Sequence, residues 1–424
     1  MKKKLLVATA ACALSAATAV PALALENEFH GMFRVFGYVN NFGTGTGGQI
    51  IPVDNASTRS YVEQRARLMY IAKANDDLKL VTHFEIDSRW GDSAYGTGRN
   101  SGGGLGADQT NLETKNVYLD FNIPSTAINA KVGVQPWIDS YGGILVNADM
   151  AGALVSAKYA GFTNSLGWFR FNDSGTLPGK ATRDFLNLDS KYNLTKDIKV
   201  GGSYYLLTDD RAADNTYTHM VGLNGEFNLA PVTLGVFGMY QFGDTPGTGT
   251  DLSAFAAGAT LKAKAGIGTF KLAALYTSGD KSTGPNDDSS AFQSISSAAS
   301  ENSFYAADMQ IMLRNKYNIN SDRSIVNTFN NNNQGFIGGF VGYDANITPK
   351  FFANVNAGFA AAANNDGDNY LGTEVNAEVG YKLFDNMTAS IQGAYFVLGD
   401  YYDEGATEDA DDPYQARVML NYAF

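Results

Sequence analysis

The sequence predicts an all-β chain: a transmembrane, antiparallel, up-and-down β-barrel of about 18 strands, with 16 as the neighbouring count. Three observations carry that expectation. The composition is poor in charge (17%) but rich in aromatics (12%) and in glycine, with 46 glycines against 3 His and 1 Cys, a mix that suits strands and turns. From residue 29 onward, segments of about ten residues alternate oily and wet side chains with the period of a pleated strand. The connections between them alternate as well, short then long, as they do when one rim faces the periplasm and the other faces outside.

The elements follow in order. Residues 1–24 read as a cleaved signal peptide, with Lys2, Lys3 and Lys4 ahead of an apolar stretch from Leu5 to Val20 and an Ala22-Leu23-Ala24 cleavage site. Cys12 lies in that stretch without a lipoprotein context, so the mature chain from Leu25 has no cysteine for disulfides, thiol catalysis or metal binding. Cleavage leaves 28 basic against 43 acidic residues, a formal charge of −15, which argues against nucleic acid as a partner. Beyond the leader no run of about 18 apolar residues exists, so no helical span is expected.

Residues 25–424 are expected to form one barrel, with strands near 29–40, 61–73, 78–90, 116–123, 130–136, 153–159, 166–172, 185–194, 198–207, 217–228, 232–242, 252–263, 269–277, 336–345, 350–360, 371–383, 387–397 and 414–424. Short turns such as Asn75-Asp76-Asp77 and Asp385-Asn386 alternate with loops such as 91–115, 398–413 and the long 278–335. The last segment is the clearest: Tyr414, Ala416, Val418, Leu420, Tyr422 and Phe424 share one parity, and Gln415, Arg417, Met419 and Asn421 the other. A water-soluble sandwich alternates too, but it turns its oily face inward. Here the wet face carries Glu63, Arg65, Arg67, Glu85, Asp87 and Arg89, charges that fit an aqueous lumen. Oily-face aromatics gather near strand ends in two girdles, Tyr70, Tyr159, Tyr192, Phe227, Phe270, Phe351 and Tyr381 by the turns and Trp90, Phe171, Tyr240, Tyr276, Tyr395 and Tyr414 by the loops.

With its signal peptide, its barrel strands and its terminal Phe424, the chain resembles Gram-negative outer-membrane porins. Lys131-Val132-Gly133-Val134-Gln135-Pro136-Trp137 looks like the porin strand that leads into an inward-folded third loop, and Leu25-Glu26-Asn27-Glu28-Phe29-His30-Gly31 is similar to the start of the homotrimeric porins of sulfate- and metal-reducing bacteria. The resemblance implies an outer-membrane location, a homotrimer among lipid and lipopolysaccharide, and passive diffusion of ions and small polar solutes. It departs from enteric porins in strand number and in the length of its seventh loop.

Other motifs are weaker. Gly43 to Gly48 contains G-x-G-x-x-G without a following helix, Gly175 to Lys180 is one residue short of a P-loop, and Asp366 to Glu374 has Leu371 where a Ca²⁺ loop needs glycine. A hydrolase needs an activated nucleophile, and His30, His83 and His219 have no serine that spacing places beside them. His83, among Arg67, Glu85 and Asp87, reads as a polar wall residue. No enzyme activity and no cofactor are expected. The acidic run from Asp400 to Asp412 suits a solvated loop, or Ca²⁺ or Mg²⁺ bridges to lipopolysaccharide. Phe304 to Tyr317 reads as a short amphipathic helix or an added strand pair. A substrate-selective porin and a sleeve for an electron-transfer protein are the alternative functions.

Two expectations concern the lumen. The turn at Asn75 to Asp77 makes paired numbers sum to about 152, so Glu63 faces Arg89, Arg65 faces Asp87 and Arg67 faces Glu85, each water-exposed and worth under about 1 kcal/mol. Loop 137–152 folds inward and sets Asp139 and Asp149 against a basic wall of Arg34, Arg65, Arg67 and Arg417, with Lys131 lining the pore nearby. The acidic mouth is expected to give weak cation selectivity that fades with salt.

Overall fold

The computed structural model describes residues 25–44, 49–92, 102–106, 111–177, 180–212, 214–281, 287–296, 301–318, 323–403 and 409–424. The leader, Gly45 to Gly48, Pro178-Gly179 of the P-loop-like stretch, and Glu404 and Glu408 of the acidic run lie outside them.

Eighteen antiparallel strands form the wall: β1 (Glu26–Asn40), β2 (Arg59–Asn75), β3 (Leu78–Arg89), β4 (Glu113–Asn122), β5 (Ile128–Ile138), β6 (Asn147–Tyr159), β7 (Phe162–Leu177), β8 (Lys180–Asn193), β9 (Ile198–Asp209), β10 (Thr216–Leu229), β11 (Val232–Asp244), β12 (Asp251–Ala265), β13 (Gly268–Thr277), β14 (Phe336–Asn346), β15 (Phe351–Ala361), β16 (Tyr370–Phe384), β17 (Met387–Leu398) and β18 (Tyr414–Ala423). Each pairs with its sequence neighbours, and β18 closes on β1 from Met32↔Ala423 to Asn40↔Gln415. Closure leaves no free edge, which is what a lipid-spanning sheet requires. At the seam Phe424 and Gly31 exchange backbone hydrogen bonds of 2.8 and 3.0 Å. A Cβ on Gly31 would stand 2.5 Å from the Phe424 ring, so only glycine admits the terminal aromatic there.

Side-chain parity follows the expected split. Gln415, Arg417 and Met419 are buried inside, while Val418 and Phe424 lie on the exposed outer face. Tyr159, Trp90, Tyr240, Tyr381 and Tyr395 are exposed on the outer face as well. Phe171 is a correction: it shares the inward parity of the fully buried Phe169 and stacks on Phe185 at 5.6 Å.

Two loops turn inward. The first, residues 139–146, is half the expected length because β5 and β6 extend to meet it. Trp137 anchors its base against Phe185 and Tyr205, at 5.4 and 5.6 Å. Tyr141 lies over Gly222 of β10, where a Cβ would come within 2.3 Å of its hydroxyl. The second comes from the 278–335 connection. Phe304 to Tyr317 contains one 3-10 turn, Tyr305–Ala307, and otherwise irregular backbone, so it is neither the helix nor the strand pair expected. Ile144, Leu145, Val146, Phe292, Phe304, Met309, Ile311, Met312 and Phe329 of the two loops join one apolar core inside the wall. Burial of that much apolar surface drives the loops into the lumen.

Candidate channel constriction

The charge ladder between β2 and β3 has the expected register, Glu63↔Arg89, Arg65↔Asp87 and Arg67↔Glu85. Arg65 donates to Asp87 through Nε at 2.8 Å and Nη2 at 2.6 Å and reaches Glu85 at 3.1 Å; Arg67 Nε meets Glu85 at 2.5 Å, and Arg89 Nη2 meets Glu63 at 2.6 Å. The expected water exposure is corrected: Glu63, Arg65, Glu85 and Asp87 are 0%, 6%, 2% and 2% exposed. The carbonyl of Asn318 from the second inward loop lies 3.4 Å from Arg65 Nη1 and helps to cover it. A buried ladder contributes little by its presence, but breaking it strands a charge.

Arg34 stands directly opposite Arg65 across β1 and β2. Like charges in that position repel. Arg65 has two carboxylates, whereas Arg34 donates to neutral oxygens, Asn421 Oδ1 at 3.0 Å and the Tyr317 carbonyl at 3.3 Å, and lies over the Tyr317 ring at 5.1 Å. Its positive charge therefore faces the lumen without a bonded carboxylate among the described residues.

The first inward loop is organised by Asp139, and this overturns the opposed-charge role expected of that residue. Its Oδ1 accepts from Tyr141 N (2.7 Å) and Gly143 N (2.9 Å), and its Oδ2 from Leu145 N (2.8 Å) and Val146 N (2.9 Å). The carboxyl faces its own loop and not the basic wall. Burial raises its pKa above the ordinary value, against the pull of these amides. Asp189 ties the loop to β8 and β9 by accepting from Ser140 Oγ, Ser203 Oγ and Tyr205 OH at 2.8, 2.6 and 2.8 Å.

The second inward loop is held by Glu374 of β16, fully buried, which accepts from the backbone amides of Gln310 (2.7 Å), Ile311 (3.0 Å) and Met312 (2.7 Å) and from Asn376 Nδ2 (2.7 Å). Arg417 completes the anchorage. It lies over the Phe36 ring at 4.8 Å and donates to Asn315 Oδ1 at 3.1 Å, Asn318 Oδ1 at 3.2 Å and Gln392. Arg417 thus holds residues 308–318, hereafter the strap, and does not join the arginine wall of β1 and β2.

Between the strap, Glu301 and the strands β1, β2, β4, β5 and β6 lies a slot of about 360 Å³. Six cationic side chains line it, Arg34, Arg65, Arg67, Lys115, Arg314 and Lys316, against the acids Asp149 and Glu301. Asp149 is the expected residue that does face the wall, where it accepts from Lys115 and from Asn116 Nδ2 at 2.8 Å. Lys131 lies away from the slot, over the Tyr118 ring at 5.7 Å. His83 bonds Asn116 at 3.2 Å as a wall residue.

Lys115, Arg314 and Lys316 were missed by sequence reasoning. Parity puts Lys115 with the outward Val117, but the pairing of β3 with β4 jumps from His83↔Asn116 to Phe84↔Thr114, and the bulge re-aims Lys115. Arg314 and Lys316 sit in a loop whose path no local pattern encodes.

No protein-family model matches the chain, and no curated protein matches it in sequence. Solved structures do match in fold. The outer membrane protein OpdK of Pseudomonas aeruginosa is 14% identical with a TM-score of 0.61, over 94% of this chain and 98% of that one. Acinetobacter baumannii OccAB4 (15%, TM-score 0.57) and Pseudomonas aeruginosa OccK2 in complex with glucuronate (14%, TM-score 0.56) each align over 94% of this chain and 98% of their own.

Proposed function

We propose that the chain is an outer-membrane porin of a Gram-negative cell, a channel for passive diffusion of small hydrophilic solutes that prefers anions. The observation that carries the preference is the slot, whose six cationic side chains exceed the carboxylates that line it or are bonded to them, Asp149, Glu301, Glu85, Asp87 and Asp308, with Arg34 donating to neutral oxygens. Dry walls around a charged constriction focus its field on the permeating ion. This reverses the weak cation preference expected from the acidic mouth, because the bulge at Lys115 and the strap add three cations at the narrow point while the mouth is screened within roughly 8–10 Å. The fold likeness to outer-membrane channels supports the location, and the glucuronate held by one of them is an organic anion of the class that such a slot suits. No reaction step is assigned to the channel. A homotrimer, and Ca²⁺ or Mg²⁺ bridges between acidic loops and lipopolysaccharide, are part of the proposal; the trimer rests on the sequence resemblance, and cross-linked monomers alone would remove it.

The test is the zero-current potential of single channels under a KCl gradient. Chloride preference is expected, and Arg34→Gln together with Arg314→Gln shifts it toward potassium. A wild-type potential of cation sign at both low and high salt would refute the anion reading, and an inserted protein without conductance would refute the pore.

A further inference from the structure

The strap has a second side. Asn315 and Lys316 line the slot, and they also line a separate chamber of about 250 Å³ bounded by β13 to β18. The chamber lies toward the short-turn rim, since its wall includes Asp344 to Asn346 at the end of β14, Phe352 to Asn354 at the start of β15, and Lys382 near the end of β16.

Its chemistry differs from that of the slot. Most of its charge is paired within it: Lys271 donates to Asp308 at 2.5 Å and Asp344 at 2.6 Å, Lys316 donates to Asp308 at 3.2 Å, and Glu378 accepts from Asn354 at 2.9 Å and Gln392 at 2.7 Å, while Arg417 is held by carboxamides and Lys382 stands at the exposed edge. What remains is a wall of seven carboxamides, together with the rings of Tyr317 and Phe352. Each carboxamide carries both donors and an acceptor, as each hydroxyl of a polyol does. Two of their buried acceptors, Gln310 Oε1 and Asn356 Oδ1, have no partner among the described residues, on side chains only 6% and 4% exposed. An unpaired buried acceptor is stabilised by a ligand that brings O–H donors, which a polyol supplies and a halide or a fully ionised inorganic oxyanion does not. The volume lies just below that of drug-sized pockets, roughly 300–1,000 Å³, which suits one small molecule and not a chain of units.

We propose that this chamber is a subsite for a small neutral polyhydroxylated solute, a monosaccharide or linear polyol, beside the anion slot. The inference rests on the channel reading, so its test separates the two. Swelling of liposomes containing the purified channel in arabinose or mannitol is compared with single-channel KCl conductance. Asn354→Leu replaces a chamber carboxamide without touching the slot, and Asn346→Phe obstructs the chamber from its exposed edge should the first variant fail to insert. The expected result is at least a fivefold slower swelling in sugar or polyol, with KCl conductance changed less than twofold. Swelling that is unchanged, or that falls in proportion to conductance, would overturn the subsite and leave the channel standing. Wild-type protein that is inserted but silent in KCl would instead overturn the channel.

Discussion

Replacing Glu374 by Gln isolates the anchorage of the strap with almost no change in volume. The Glu374 carboxylate accepts four hydrogen bonds, two on each oxygen: Gln310 N and Asn376 Nδ2 on Oε1, Ile311 N and Met312 N on Oε2. A glutamine keeps one oxygen, and its amino group then faces two donors. With the oxygen kept on Ile311 and Met312, the strap bond from Gln310 N is lost at about 1.5 kcal/mol and the two that remain fall from charged to neutral strength at about 0.75 kcal/mol each, so docking weakens by about 3 kcal/mol. At 1.4 kcal/mol per decade, undocking becomes favoured by roughly 10²-fold. The wall itself is untouched, because the β16 ladder does not use the side chain. Amide hydrogen exchange at Gln310 to Met312 reads the equilibrium directly and should accelerate by about that factor, and single-channel traces should show upward excursions as the strap leaves the lumen. Exchange within threefold of wild type, with steady current, would refute the view that this carboxylate holds the strap.

Two further perturbations probe the wall and the first inward loop. Arg65→Met removes the cation bonded to buried Asp87 and leaves Glu85 with Arg67, and should destabilise the barrel by about 3–5 kcal/mol, read as a lower midpoint of heat modifiability on gels; a midpoint shared with wild type would show that water reaches the ladder. For Asp139 the folded pKa is raised by burial, so the docked loop holds its proton more tightly than a free loop does, and ionisation through the interval above the ordinary carboxylate value costs docking. Acidification from neutral pH into that interval should therefore reduce open-state noise in Asp139 channels, an effect that Asp139→Asn abolishes; noise that rises in acid would reverse the sign.

The wall was legible in the sequence because its determinants are local. A period of two, repeated in Leu186 and Leu188 against Asn187 and Asp189 or in Val418 against Arg417 and Met419, tells a strand which face meets lipid, and no distant contact can change that parity. All eighteen strands, the closure at Phe424 and the ladder register from Glu63 to Arg89 follow from it together with turn length. The constriction was legible only in part. Arg34, Arg65 and Arg67 come together along one wall of the slot because strand parity and lateral order decide their positions, while Asp149, expected in the inward loop, reaches it from β6. Asp139 does not face that wall, because four amides of its own loop compete for its carboxyl, and Arg417 does not join it, because the strap passes within its reach. The course of the strap depends on apolar burial between segments more than a hundred residues apart and on one buried glutamate. Lys115 needed a break in pairing that alternation averages over. By itself, then, the sequence determined a barrel, its inside and its outside. Only the tertiary structure decided what fills the inside, because the path of an irregular loop is set by the surface it finds to cover and not by its own repeat.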